Sequence, residues 1–140
     1  MTTINDVVKF KYDSMADDKM LIPLEYPKTM PFPIKRIFYV HSIPDTDNRG
    51  NHANITSEQI IICLTGRINV TCRDGISMQQ WSLWQNDAIY VPKMIWDEES
   101  FCTPETIMLS LNSTIYSRDY YIEDFDIFKQ LKRTDKSWGS

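Results

Sequence analysis

The feature of this sequence that most constrains its fold is a rhythm of turns. Between residues 58 and 112, short apolar runs are cut at Thr65-Gly66, Asp74-Gly75 and Asn86-Asp87. Glycine accepts positive φ without steric cost, and Asp-Gly between apolar runs is a strong hairpin signal. Runs of five to nine residues between such turns suit strands better than helices. The pattern predicts strands over 58–64, 67–73, 76–84, 88–92 and 106–112. Upstream, 7–12 and 21–25 read as opening strands and 34–43 as a further one. Pro27, Pro31 and Pro33 break the chain between them, because proline cannot donate to a ladder. Within 34–43, alternation places Lys35, Ile37, Tyr39 and His41 on one face, and Ile34, Arg36, Phe38 and Val40 on the other. The first face is the more polar and suits a wall looking onto a ligand or onto water. Residues 44–50 read as a polar loop.

One helix closes the chain, over about 122–132. Ile122, Phe125, Phe128 and Leu131 form its apolar stripe, with acids at its start and bases at its end, as the helix dipole favours. Many short strands and a single helix predict an all-β sandwich or closed barrel with a concave interior. Periodicity does not separate one antiparallel barrel from another. At 140 residues the chain is expected to be one domain, 1–140, with 133–140 a flexible tail.

The net charge of −4 argues against a nucleic-acid partner, although a few arginines can still hold a diphosphate on an acidic protein. Cys63, Cys72 and Cys102 are odd in number and lack zinc-site spacing, so they read as buried free thiols in a reducing compartment. Residues 1–19 hold no apolar run of signal-peptide length, and no segment reaches the length of a membrane span. A cytoplasmic protein is expected. There is no glycine-rich phosphate loop and no G-x-S-x-G elbow.

The stretch Arg49-Gly50-Asn51-His52-Ala53-Asn54 resembles the Arg-Gly-x-His-Ala-His signature of the dTDP-4-keto-6-deoxyglucose 3,4-ketoisomerases, the WxcM-like family. Several flanking segments agree with it. Residues 33–40 are similar to the family's strand before the signature, and Glu58-Gln59 with the apolar run to Gly66 to the segment after it. Tyr90-Val91-Pro92 leading to Trp96, and Asp119-Tyr120-Tyr121-Ile122 with the aromatic helix beyond, resemble later family motifs. The likeness covers about residues 21–131. Two positions depart from the pattern: Asn54 stands where the second histidine is expected, and Asp97 where a histidine or another base is expected.

The resemblance implies a cupin, an RmlC-like jelly-roll β-barrel with a C-terminal helix. It also implies a cofactor-free isomerisation of a dTDP-linked 4-keto-6-deoxyhexose through an enediol, serving 3-amino-3,6-dideoxyhexose and polysaccharide biosynthesis. The partner is expected to be a second copy of the chain, in a homodimer with exchanged N-terminal strands; no membrane is expected.

Such a reaction needs a base with a pKa near the working pH, which favours histidine. His52 is the candidate base, with Asn54, two residues on, facing the same side to orient substrate or stabilise the enediolate. If a second proton carrier is required, Tyr39 or a water must supply it. Arg49 is expected to hold the diphosphate or orient the sugar, Asp97 to contact the sugar, and Glu58 to support them. His41 reads as a structural histidine, and Trp81, Trp84 and Trp96 as barrel packing. His52, Asn54, Glu58 and Asp97 make a poor transition-metal set, so no metal is expected. A non-catalytic sugar-nucleotide-binding cupin and a related epimerase are the rival readings.

Overall fold

A computed structural model describes residues 1–44 and 47–134. Its ten described strands are β1 (Val8–Lys11), β2 (Arg36–His41), β3 (Asn48–Asn54), β4 (Gln59–Thr65), β5 (Ile68–Arg73), β6 (Met78–Leu83), β7 (Asp87–Val91), β8 (Trp96–Phe101), β9 (Ile107–Asn112) and β10 (Tyr121–Ile122). One α-helix, α1 (Phe125–Thr134), follows. The strands form two antiparallel five-stranded sheets, in the orders β1-β7-β4-β9-β2 and β10-β3-β8-β5-β6. This is the all-β architecture that the turn rhythm predicts, of the cupin type that the resemblance implies.

The core lies between the sheets. Inward residues of the first sheet, Ile61, Cys63, Ile89 and Met108, meet Ile68, Val70, Cys72, Leu83 and Phe101 of the second. A second apolar layer explains why β4 reads as an unbroken apolar run rather than an alternating one. Ile60 and Ile62 point out of the sandwich and are covered by Met30, Phe32, Ile22 and Leu24 from the segment between β1 and β2. A strand buried on both faces has no polar side to show.

That covering segment contains the expected strand over 21–25, and there the structure differs. Leu21 O accepts from Met15 N, and Glu25 O accepts from Thr29 N and Met30 N. Local turns take up the backbone groups at both ends of this stretch, and no strand forms there.

α1 starts later than its apolar stripe suggests. Asp124 caps it, accepting from Asp126 N at 2.9 Å and Ile127 N at 3.1 Å through Oδ1. Ile122 belongs instead to β10, where it pairs with Ala53. Phe128 is the buried anchor of the helix, set against Trp96, Ala53 and Ile122 on the outer face of the second sheet. Leu131 is exposed, and Lys132 replaces it as the second buried residue. The Lys132 ammonium donates to Thr2 O at 2.6 Å and Met94 O at 2.8 Å, tying the helix to the start of the chain and to the loop before β8. Arg133 and Thr134, expected in a tail, are the last residues of α1; the rest of that tail, 135–140, lies outside the described residues. No described helix is long and apolar enough to cross a membrane.

Candidate active site

The cavity with the densest chemistry lies between the sheets at one end of the sandwich. Its volume is about 330 Å³, within the range of small-molecule sites. β2 contributes Arg36, Phe38 and Val40; β3 contributes Asn48, Arg49, Gly50 and His52. Gln59 and Ile61 come from β4, Glu99 from β8, and Met108 and Ser110 from β9. Tyr116, Tyr121 and Glu123, from the segment before α1, form the remaining wall.

β3 is the element that makes the site, and it takes in Asn48, Arg49 and Gly50 from the end of the expected loop over 44–50. Its ladder with β8 is interrupted between Gly50 and His52, where Gly50 (φ 80°) and Asn51 (φ 60°) both adopt positive φ. Such a bulge adds a residue to one strand and re-aims the side chains that follow. Arg49 stands opposite Glu99, and His52 opposite Asp97. Both pairs face inward, because Trp96 and Ala53 alternate to the outer face.

His52 meets Tyr121 edge to face, with ring centroids 4.7 Å apart. The Tyr121 hydroxyl accepts from Arg36 Nη1 at 3.0 Å. The Arg36 guanidinium is itself held between the rings of Phe38 and Tyr116, at 4.6 Å and 4.8 Å. Two arginines and the only imidazole of the cavity thus share a wall with three aromatic rings. This suits an anionic, partly apolar ligand.

A buried acid pair closes this side, with Glu99 on the cavity wall and Asp97 behind it. Asp97 is fully buried and Glu99 is 3% exposed. Gln59 Nε2 donates to Asp97 Oδ2 at 3.0 Å. Asp97 Oδ1 and Glu99 Oε2 are buried with no ordinary hydrogen-bond partner. Burial pushes the Glu99 carboxyl well above the usual carboxylate range, and the neighbouring Asp97 charge pushes it further. Burial also raises Asp97, against the opposing pull of its hydrogen bond with Glu99 and of His52. Arg49, which stands opposite Glu99 in the ladder, works against the rise at Glu99.

The structure brings some of the expected site residues together and not others. His52 and Arg49 line the cavity, and Asp97 lies directly behind it. Asn54 is buried, paired with Tyr121 across β3 and β10, but it does not line the cavity. Glu58 accepts a hydrogen bond from the Tyr90 hydroxyl at 2.5 Å and is also off the cavity wall. Tyr39 is placed elsewhere: β2 turns Arg36, Phe38 and Val40 inward, so Tyr39 faces out, 67% exposed and stacked on His41. The polar face of β2 looks onto solvent, and its arginine-bearing face onto the cavity. Arg36, Tyr116, Tyr121, Gln59 and Glu99 were not legible as site residues. The alternation of β2 already set Arg36 apart from Tyr39, and an arginine on an apolar face was the available signal. Among the described residues, no cluster of His, Cys, Asp and Glu is arranged to hold a metal ion.

Comparisons with known proteins agree with this geometry. The family model described as FdtA: WxcM-like, C-terminal, matches residues 2–133. The chain is 33% identical over 129 residues to a TDP-4-oxo-6-deoxy-alpha-D-glucose-3,4-oxoisomerase of Aneurinibacillus thermoaerophilus, covering 90% of this chain and 91% of that protein. Among solved structures it resembles WlaRA, a TDP-fucose-3,4-ketoisomerase from Campylobacter jejuni, with a TM-score of 0.86, 32% identity, and coverage of 95% of this chain and 99% of that one. It also resembles QdtA, a sugar 3,4-ketoisomerase from Thermoanaerobacterium thermosaccharolyticum in complex with TDP. There the TM-score is 0.87 and the identity 25%, over 95% of this chain and 98% of the other.

Proposed function

The chain belongs to the FdtA family (WxcM-like, C-terminal), and from that premise we propose its reaction: the 3,4-ketoisomerisation of a TDP-linked 4-keto-6-deoxyhexose. The observation that carries the reading is the placement of His52. It is the cavity's imidazole, brought inward by the bulge at Gly50 and flanked by Arg49, Arg36 and Tyr121.

His52 removes the proton on the carbon beside the carbonyl, and the electron pair forms an enediolate. The same imidazolium returns a proton to the former carbonyl carbon, leaving the keto group one carbon along. A histidine suits both steps because its basic and acidic forms are both accessible near neutrality. Arg49 and Arg36 supply positive charge for the diphosphate and for the developing enediolate. Tyr121 takes the place on the cavity wall that was expected of Tyr39. Asn54 acts from behind it, through its pairing with the Tyr121 strand, whereas Glu58, bonded to Tyr90 of the outer apolar layer, makes no contact with the cavity. The site is cytoplasmic in this reading and uses no cofactor.

The working unit is a homodimer with exchanged N-terminal strands. Two features support this: β1 is an edge strand held only by β7, and Ile37 and Tyr39 are exposed on the opposite edge. A monomer in sedimentation equilibrium at micromolar concentration would remove that part of the proposal.

The test of the reaction is incubation with TDP-4-keto-6-deoxyglucose in D₂O, followed by NMR. Deuterium is expected at C3 of recovered substrate, along with a 3-keto product. His52→Asn is expected to abolish both. An active His52→Asn variant, or a wild-type protein that binds the nucleotide sugar without exchange, defeats the proposal; the second outcome would favour a non-catalytic binder.

A further inference from the structure

The isomerisation moves two kinds of proton, and His52 accounts for only one of them. The carbon-bound proton leaves C3 and one returns at C4. Meanwhile the former carbonyl oxygen must gain a proton, and the neighbouring hydroxyl oxygen must lose one. We propose that the Glu99 carboxyl moves this oxygen-bound proton, with Asp97 as the buried hydrogen-bond acceptor that holds it.

Three observations on the same few atoms carry this. Glu99 lines the cavity on the strand facing His52, opposite Arg49 in the ladder. Asp97 Oδ1 and Glu99 Oε2 are both buried without a conventional donor, which two ionised carboxylates could not tolerate side by side. One shared proton satisfies both atoms. Finally, Gly50 leaves the space that the pair fills. A Cβ at residue 50 would lie 2.7 Å from Glu99 Oε2 and 2.9 Å from Asp97 Oδ1. The bulge that aims His52 inward thus also seats the acid pair beside it. Gln59 donates to the other Asp97 oxygen and so holds that carboxyl in place beside Glu99.

The step balances within one carboxyl group. His52 takes the C3 proton as the carbonyl π pair moves onto its oxygen. Glu99 gives its proton to that oxygen and recovers one from the adjacent hydroxyl, while the His52 imidazolium delivers a proton to C4. Glu99 ends as it began, neutral, and Asp97 stays ionised throughout. A neutral carboxyl held as a hydrogen-bond donor by a dry site is a known way of handling an enolate oxygen.

The inference rests on the ketoisomerase reading, and its test separates the two. Exchange at C3 and product formation are measured together, in D₂O with TDP-4-keto-6-deoxyglucose, for wild type, Glu99→Gln and Asp97→Asn. Glutamine keeps the shape and a donor to the enediolate but cannot pass a proton. Product formation is expected to fall about 100-fold in Glu99→Gln. Exchange at C3 falls much less, so the ratio of exchange to product rises at least about tenfold. Asp97→Asn removes the acceptor that keeps Glu99 protonated and shows the same uncoupling, which serves if one variant folds poorly. If exchange and product fall in proportion in both variants, Glu99 merely positions His52 and the proposal is wrong. Unchanged product formation overturns it too. A wild-type protein lacking both signals sinks the ketoisomerase reading itself, and this inference with it.

Discussion

Gly50→Ala tests how the backbone and the site are built into one another. Gly50 sits at φ 80°, a conformation that costs a residue bearing a Cβ about 1–2 kcal/mol. The added methyl would also meet Glu99 Oε2 at 2.7 Å, Asp97 O at 2.8 Å and Asp97 Oδ1 at 2.9 Å. Comfortable contacts with carbon lie near ~3.5 Å, so each of these must open by more than about half an ångström. The Glu99 side chain has some freedom to move. The Asp97 carbonyl has little, because Asp97 is held in the ladders on both sides of β8, opposite His52 and Cys72. Overpacking of this kind costs about 1–3 kcal/mol. Together the two effects predict a loss of about 2–5 kcal/mol, a large share of the 5–15 kcal/mol typical of a domain. Urea denaturation followed by far-UV circular dichroism reads the change directly. Thermal unfolding should show a drop of roughly 6–15 °C. A variant within about 0.5 kcal/mol of wild type would refute the reasoning: either residue 50 would not hold positive φ, or the acid pair would not pack over it.

Two further predictions follow from the same geometry. Asp74 is buried at the turn between β5 and β6; burial alone would raise its pKa, but backbone donors at Ser77, Ile4 and Ile76 outweigh this and hold it below its usual value. A lowered folded pKa gives stability that is present above the unfolded value near ~3.9 and is lost as pH falls through the folded value. Asp74→Ala should therefore cost about 2 kcal/mol at pH 7, and the gap from wild type should narrow in urea titrations at pH 3; a gap that widens in acid contradicts the assignment. Tyr121→Phe should lower kcat/KM about tenfold, by freeing Arg36 and loosening the wall beside His52, while Tyr39→Phe leaves it within about twofold. Steady-state kinetics showing the reverse order would place the working tyrosine on the outer face of β2.

Much of the fold was legible because the signals involved are local. Asp74-Gly75 and the alternation of β5, Ile68, Val70 and Cys72 inward, need only neighbouring residues to take effect. Strands β3 and β8 were harder to read. Asn48–Asn54 is polar and holds two residues at positive φ, and Trp96–Phe101 carries three acids in sequence. Both become strands because each supplies the other's ladder partners, and partners distant in sequence leave no local trace.

The site divides in the same way. The sequence by itself pointed to His52 and Arg49, through a contiguous signature, and both do line the cavity. Only the tertiary structure decided which face of β2 looks inward, and so put Arg36 rather than Tyr39 at the cavity. It alone gathered Glu99, Gln59 and Tyr121 around the imidazole and closed Asp97 and Glu99 off from water. The physical reason is that side-chain direction along one strand is fixed by a period of two, whereas which face is buried depends on the sheet packed against it.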